Sequence, residues 1–179
     1  KLPSPIGWVN DFENIFTEDE EKTLDSLISE YEKKTTTEIT VITIPTSATD
    51  KDRFDELTLH IAKNWGIGKK EKNNGILIGI SKGHRTIRIQ NGLGIEKLLS
   101  DNQTKQIIDQ IIIPNFKAND FYKGVFDGIQ EIKMVLDKGS KSDFINLKDY
   151  SVFQFIELLK IDIQDCSIPA FDSNSPEIH

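Results

Sequence analysis

A strand–turn–strand pattern between two glycine-rich loops constrains the fold more than any other feature of this sequence. Gly75–Ser81 and Thr86–Gln90 are rich in β-branched residues, and Lys82–His84 between them supplies a turn. In such a hairpin the start of the first strand lies beside the end of the second. We therefore expect Asn74 to lie near Gly92–Glu96, which brings amides, a carboxylate and flexible backbone to one edge of a sheet.

The segments before the hairpin predict a βαβ unit. Glu38–Ile44 has the composition of an interior strand, and Asp52–Asn64 carries apolar residues at helical spacing. Because a strand–helix–strand crossover in one sheet joins parallel strands, Glu38–Ile44 should run parallel to Gly75–Ser81. The loop after the helix, Gly66–Lys72, should then reach the same edge as Asn74.

Further helices should cover this sheet. Thr17–Glu20 has the spacing of a capping box, which predicts a helix N-terminus. Ser100–Asp101 should begin another helix, and Pro114 should end it because proline lacks a backbone N–H. A last helix of the domain should begin at Asn119–Asp120. Before all of these, Lys1–Glu13 is expected to be an irregular lead-in.

The chain is expected to form one domain followed by a tail. The expected divisions are residues 1–138 for the domain, 139–148 for a hinge, and 149–179 for a C-terminal helix with a flexible tail. The helix, Asp149–Lys160, should pack on or beside the domain. In the alternative interpretation it presents Phe153, Phe155 and Leu158 to a partner.

Composition excludes several classes of function. The formal charge of −7 argues against nonspecific nucleic-acid binding, which requires clustered Lys and Arg. Cys166 is the single cysteine, so the chain forms no internal disulfide and no thiolate metal cluster. No apolar run is long enough to cross a bilayer. The chain begins at Lys1 rather than Met, which is compatible with a removed signal peptide.

Short motifs spread along the chain resemble those of the TPM-domain family. They are Val9-x-Asp11, Trp65-Gly66-Ile67-Gly68, Asn74-Gly75-Ile76-Leu77, Arg88-Ile89, Gly92-Leu93-Gly94-Ile95-Glu96, Leu99-Ser100-Asp101, Pro114-x-Phe116, Asp120-x-Tyr122 and Gly124. The resemblance covers roughly Gly7–Leu136. It implies an α/β fold, a three-layer α/β/α sandwich with a small mixed central sheet. The family usually has an aspartate at the position of Asn73 and a carboxylate at that of Gln90.

The resemblance also implies a location and two activities. The family includes bacterial envelope proteins, so we expect an extracytoplasmic site such as the periplasm, with the cytoplasm as the alternative. Members bind calcium, and one thylakoid-lumen member has acid-phosphatase activity. We expect the domain to bind a divalent cation, preferably Ca²⁺, and to contact another protein. A weak, metal-assisted acid phosphatase is the alternative function.

The candidate cation ligands are oxygen donors in or beside irregular loops. They are Asp11, Asn74, Glu96, Asp101 and Asp120. Ca²⁺ takes several carboxylate, amide and carbonyl oxygens, and glycine-rich segments allow backbone carbonyls to turn toward an ion. A purely structural alternative remains open, in which Asp101 and Asp120 cap helices and Asn74-Gly75 forms a turn.

The phosphatase alternative requires positive charge at the phosphoryl oxygens. Arg88 and Lys69 are the candidate phosphate-binding residues. The sequence contains no recognisable nucleophile motif, so the catalytic residue is unknown. Arg88 has a structural alternative as well, since a residue that alternates in a strand can face solvent or pair with an acid.

Overall fold

The computed structural model describes residues 4–142. Its centre is a mixed sheet of four strands in the order β1-β2-β3-β4. The strands are β1 Val9–Asp11, β2 Glu38–Thr43, β3 Gly75–Ser81 and β4 Thr86–Asn91. The first three strands are parallel, and β4 is antiparallel to β3. The predicted parallel βαβ unit and the predicted hairpin are therefore both confirmed.

The described part of the chain contains six α-helices. They are α1 Glu18–Thr35, α2 Phe54–Trp65, α3 Leu93–Glu96, α4 Asp101–Ile107, α5 Ile113–Lys117 and α6 Phe121–Ser142. Two 3-10 turns, Thr46–Ala48 and Lys51–Arg53, precede α2, and a π-helical turn, Ile108–Ile112, joins α4 to α5. The capping box predicted at Thr17–Glu20 is present at the start of α1.

The sheet is buried on both faces, which makes the domain a three-layer sandwich as predicted. One face packs against α1, α4 and α6 and includes the buried side chains of Ile39, Ile78 and Ile89. The other face packs against α2, where Ile42 and Leu77 meet the helix. Because side chains alternate between faces along a strand, β2 and β3 need apolar residues at nearly every position.

The expectation that Lys1–Glu13 is irregular is wrong in its second half. Val9–Asp11 forms β1, which pairs in parallel with β2 from Val9↔Val41 to Asp11↔Thr43. Three residues are too few to show a two-residue period. Asn10 also breaks the apolar pattern, because it is polar although it is only 1% exposed. Its amide Nδ2 donates to the Gly7 carbonyl oxygen at 3.0 Å.

Pro114 does not end the helix that begins at Asp101, so that prediction is also wrong. The chain passes through the π-helical turn, in which the N–H of Ile113 donates to the carbonyl oxygen of Ile108, five residues back. Pro114 then occupies the first turn of α5, where a missing N–H leaves no carbonyl without its donor. The wider turn therefore accommodates proline without breaking the helical path.

The C-terminal divisions fall largely beyond the described residues. Helix α6 continues through Ser142 and so includes the first residues of the predicted hinge. The chain divides between Lys141 and Ser142. The predicted helix Asp149–Lys160 and Cys166 lie outside the described residues. Among residues 4–142, no helix has the length and hydrophobicity needed to span a membrane.

Candidate functional site

The hairpin brings the glycine-rich loops together at the edge where β3 begins. The N–H of Gly92 donates to the Gly75 carbonyl oxygen at 2.8 Å, and the N–H of Gly94 donates to that of Asn73 at 3.0 Å. A Cβ atom on Gly94 would lie 2.0 Å from the Lys72 carbonyl oxygen, so only glycine fits there. The neighbourhood predicted from the hairpin is therefore confirmed.

Asn74 uses its side-chain amide to join three segments at this edge. The residue is 8% exposed. Its Nδ2 donates to the Thr36 carbonyl oxygen at 2.8 Å, and its Oδ1 accepts from the N–H of Lys69 at 2.9 Å. Thr36 ends α1 with a left-handed φ of 66°, and Lys69 lies in the loop after α2. The amide is thus an internal clamp, and both of its polar atoms have protein partners.

Lys69, a predicted phosphate-binding residue, lies between two carboxylates. Its Nζ is 3.0 Å from Glu32 Oε1 and 2.6 Å from Glu38 Oε1. The second oxygen of Glu38 accepts from the N–H of Gly68 at 2.7 Å. The hydrogen bonds to Glu38 and then Glu32 raise the pKa of Lys69 above its ordinary value. The Lys69 ammonium group therefore lies between Glu32 and Glu38, in the position that a bound cation would otherwise take.

Asp11 lies at the opposite edge of the sheet from Asn74, that is, at the C-terminal ends of the parallel strands rather than at their N-terminal ends. It ends β1 and pairs with Thr43 at the end of β2, whereas Asn74 precedes the start of β3. One carboxylate oxygen accepts from Thr43 Oγ1 at 2.5 Å, and the other accepts from the N–H of Phe16 at 2.8 Å. The separation follows from parallel pairing, because the C-terminal ends of parallel strands share one edge. Asp11 holds the loop between β1 and α1.

Two of the other predicted ligands lie at helix N-termini, but only Asp120 caps its helix as the structural alternative proposed. Asp120 Oδ1 accepts from the N–H of Lys123 at 2.9 Å in the first turn of α6. Asp101 is the first residue of α4, whose N-cap is Ser100. Glu96, at the end of α3, is exposed.

The structure does not bring the five predicted ligands into one site. Asn74 and Glu96 lie at the edge where β3 begins, while Asp11 lies at the edge where β1 and β2 end. Asp120 precedes Phe121, whose ring faces Lys82 just after the end of β3. Within residues 4–142, no group of three or more His, Cys, Asp or Glu side chains is arranged to hold a metal ion.

Arg88, the second predicted phosphate-binding residue, pairs with an acid, as its structural alternative proposed. Its Nε donates to Asp55 Oδ1 in the first turn of α2. Gln90 Nε2 donates to the same oxygen at 2.8 Å and to Thr58 Oγ1 at 3.0 Å. The hydrogen bond from Arg88 is the main cause that lowers the pKa of Asp55 below its ordinary value, and the bond from Gln90 adds to it. Arg88 therefore ties β4 to α2.

A groove at the other end of the sheet has the character of a ligand site. Its volume is about 700 Å³, and it lies between the β3–β4 turn and the segment from the π-helical turn to α6. It is lined by Ser81, Lys82, Arg85, Thr86, Ile87, Ile108, Ile113, Phe116, Lys117, Asn119 and Phe121. No local sequence pattern indicates this turn groove, because its residues come together only when the helices pack.

Basic side chains line the turn groove beside its apolar residues. Lys82, Arg85 and Lys117 are exposed, and none of them forms an ion pair with a carboxylate in the described part of the chain. The Nζ of Lys82 lies 5.3 Å from the centre of the Phe121 ring, a cation–π contact. By contrast, Lys123 one turn into α6 pairs with Asp127 on its own helix. The Glu13 carboxylate contacts the turn, but it accepts from the main-chain N–H of Lys82 at 2.7 Å rather than from a basic side chain. The turn groove therefore combines an apolar surface with three basic side chains that form no ion pair.

Comparison with solved structures confirms the class of fold, a three-layer α/β/α domain. The N-terminal domain of a protein from P. gingivalis is similar at a TM-score of 0.66 and 26% identity, over 73% of this chain and 82% of that one. The BA42 protein from Bizionia argentinensis is similar at 0.61 and 27% identity, over 72% and 86%. An N-terminal domain from Corynebacterium glutamicum shares the fold at 0.52 and 14% identity, over 79% and 86%.

The sequence places this domain in a family. A family model described as the TPM domain matches residues 9–135, which is most of the described part of the chain. The protein therefore belongs to the TPM-domain family, as the motifs indicated. No curated protein sequence matches the chain at a significant level.

The Asp55–Arg88 pair gives a stability prediction that depends on pH. Because the pKa of Asp55 is lowered in the folded state, its contribution should be present above about pH 4 and lost as the pH falls further. Both side chains are more than half exposed, so Asp55→Asn should cost about 0.5–1 kcal/mol at pH 7. Urea unfolding should show this difference narrowing at pH 3.

The control for this prediction is Glu56→Gln, which removes the partner of Arg53 in a pair that lies on a single turn of helix. We expect a cost of about 0.5 kcal/mol or less at pH 7. An Asp55→Asn protein as stable as the wild type at pH 7 would show that the bond to Arg88 does not hold β4 on α2.

Proposed function

We propose that this domain is a non-catalytic binding module and that the turn groove is its binding surface. The observation that carries the proposal is the joint occurrence of apolar walls and three basic side chains without carboxylate partners among the described residues. The chain as a whole carries a charge of −7, so positive charge collected at one apolar recess is a local exception. Such a recess suits a ligand with an apolar body and a negative charge.

No contact among the described residues favours the phosphatase alternative. Phosphoryl transfer needs positive charge directed at the phosphoryl oxygens. Arg88 is engaged with Asp55, and Lys69 is engaged with Glu32 and Glu38. The two candidate phosphate-binding residues also lie on different elements, β4 and the loop after α2. Phosphatase activity therefore stays a prediction from the resemblance, as does the extracytoplasmic location.

Divalent-cation binding remains a second proposal, and the electrostatics support it best beside Asp11. Burial raises the pKa of Glu21, and the nearby carboxylates of Asp11, Asp25 and Glu18 raise it further. A cation near Asp11 would relieve this repulsion, but both oxygens of Asp11 already accept hydrogen bonds, and no three acidic side chains among residues 4–142 are arranged to hold a metal ion. At the opposite edge Lys69 already supplies that charge. The glycine-rich edge therefore fits a cation less well than the sequence indicated.

Calorimetry with Ca²⁺ and Mg²⁺ tests this proposal. We expect weak binding that Asp11→Asn reduces by about tenfold, because removing one carboxylate ligand weakens an oxygen-donor site. Glu96→Gln serves as the matched control, since Glu96 lies at the other edge, and it should leave binding unchanged. If Glu96→Gln weakened binding and Asp11→Asn did not, the cation site would lie at the glycine-rich edge. If neither ion gave heat, the domain would not bind these cations.

The binding-module proposal can be tested with 8-anilinonaphthalene-1-sulfonate, a small probe with an aromatic body and one negative charge. We expect the native full chain to bind it in the turn groove, and Lys82→Gln combined with Lys117→Gln to weaken binding about three- to tenfold. The control is Lys70→Gln with Lys97→Gln, two exposed lysines elsewhere on the domain. Amide chemical shifts that move outside the groove, or equal losses in the two double variants, would contradict the proposal.

A further inference from the structure

Strand β4 is an edge strand, and part of its backbone faces away from β3. The register pairs Ile76 with Asn91, and the N–H of Gly92 donates to the Gly75 carbonyl oxygen at 2.8 Å. Antiparallel ladders alternate between hydrogen-bonded and non-bonded pairs. The bonded positions of β4 are therefore Thr86, Arg88 and Gln90, and the N–H and C=O groups of the alternate residues, including Ile87, point outward.

The outward backbone is open where it borders the turn groove. Outside the β3–β4 ladder, no hydrogen bond joins the main chain of Ile87 to another residue in the described part of the chain. At the other end of β4 the side chain of Asn91 is held against α4, since its Nδ2 donates to Thr104 Oγ1 at 2.8 Å. Thr86 and Ile87 both line the groove, so the outward backbone of this half of β4 borders it.

The turn groove is placed to accept side chains from a strand added beside this half of β4. Side chains in a strand alternate between the two faces of a sheet. Ile87 points to the face that α4 and α6 cover, which is the groove side, whereas Arg88 points to α2. Every second side chain of an added strand would therefore project toward Ile108, Ile113 and Phe116.

The charges around the groove indicate which side chains the added strand should carry. Lys82, Arg85 and Lys117 are the unpaired cations of its lining, and Asp120 nearby has its carboxylate engaged as a helix cap. An incoming segment with carboxylates beside its apolar residues would match them. A strand edge also supplies directional N–H and C=O groups, which a peptide backbone can use and a lipid cannot.

We propose that an extended, acidic peptide segment of a partner protein adds to β4 as a fifth strand and buries its apolar side chains in the turn groove. This inference rests on the proposed function, because it names the ligand of the same groove. The partner contributes backbone hydrogen bonds for affinity, alternate apolar side chains for the groove, and carboxylates for the basic side chains.

The test uses fluorescence anisotropy of the full chain with a labelled nine-residue peptide in which Phe or Val alternates with Glu. One comparison peptide carries Gln in place of Glu, and two others carry N-methyl groups on the odd or the even amides. We expect the Gln peptide to bind about tenfold more weakly and one of the two N-methylated peptides to lose at least about tenfold. Lys82→Gln with Lys117→Gln should weaken the Glu peptide about tenfold, and Lys70→Gln with Lys97→Gln should not.

Hydrogen exchange supplies a structural readout, because strand addition should slow exchange of the Ile87 amide when the Glu peptide is bound. Equal binding of the Glu and Gln peptides, equal binding of both N-methylated peptides, or no binding at all would overturn the proposal. So would tighter binding to phosphatidylglycerol vesicles with no peptide binding. If the sulfonate probe still binds in the groove while every peptide fails, the binding module stands and only the partner chemistry is wrong.

Discussion

The buried side chain of Asn74 connects three segments that the chain order keeps apart. Its Nδ2 bonds to Thr36 after α1, its Oδ1 bonds to Lys69 after α2, and its own backbone leads into β3. Unpaired polar atoms inside a protein are costly, so each of these contacts must form when the domain folds. The glycines around Asn74 allow the loops to meet backbone against backbone, which leaves no room for a side chain on Gly94.

This use of Asn74 divides the domain into two ends with different roles. At the glycine-rich end, Lys69 bridges Glu32 and Glu38, and the backbone groups bond to one another. At the end where β3 turns into β4, the side chains of Lys82, Arg85 and Lys117 form no ion pair among residues 4–142, while the Glu13 carboxylate accepts from the main-chain N–H of Lys82 at 2.7 Å. Satisfied polar groups stabilise a fold, whereas unsatisfied charge beside apolar surface is available to a ligand. We therefore place binding at the turn groove.

Local sequence signals predicted the framework because short-range physics determines it. The β-branched apolar run in Gly75–Ser81 and the capping box at Thr17–Glu20 each specify an element without reference to the rest of the chain. The connection rule for parallel strands then fixed which loops become neighbours. The three-residue strand Val9–Asp11 escaped prediction because it carries too little periodicity. The path through Pro114 escaped because a π-helical turn has no simple sequence signature.

Side-chain partners were harder to predict than elements, and the site depended on them. Asn74 was predicted as a cation ligand and Arg88 as a phosphate-binding residue, but the structure pairs them with Thr36 and Asp55, which lie more than thirty residues away in sequence. Whether such a residue clamps the fold or binds a ligand depends on register and helix packing. The turn groove likewise requires segments from two parts of the chain to meet, so no local pattern indicates it.

The glycine-rich edge is a structural joint rather than a ligand site. The free energy of unfolding of Asn74→Ala in the full chain tests this role. The substitution leaves the Thr36 carbonyl and the Lys69 N–H without their hydrogen-bond partner, so the free energy of unfolding at pH 7 should fall by about 2–4 kcal/mol. Binding of the sulfonate probe in the groove should persist under conditions where the variant is folded. A stability within about 0.5 kcal/mol of the wild type, together with lost binding of Ca²⁺, would contradict the account.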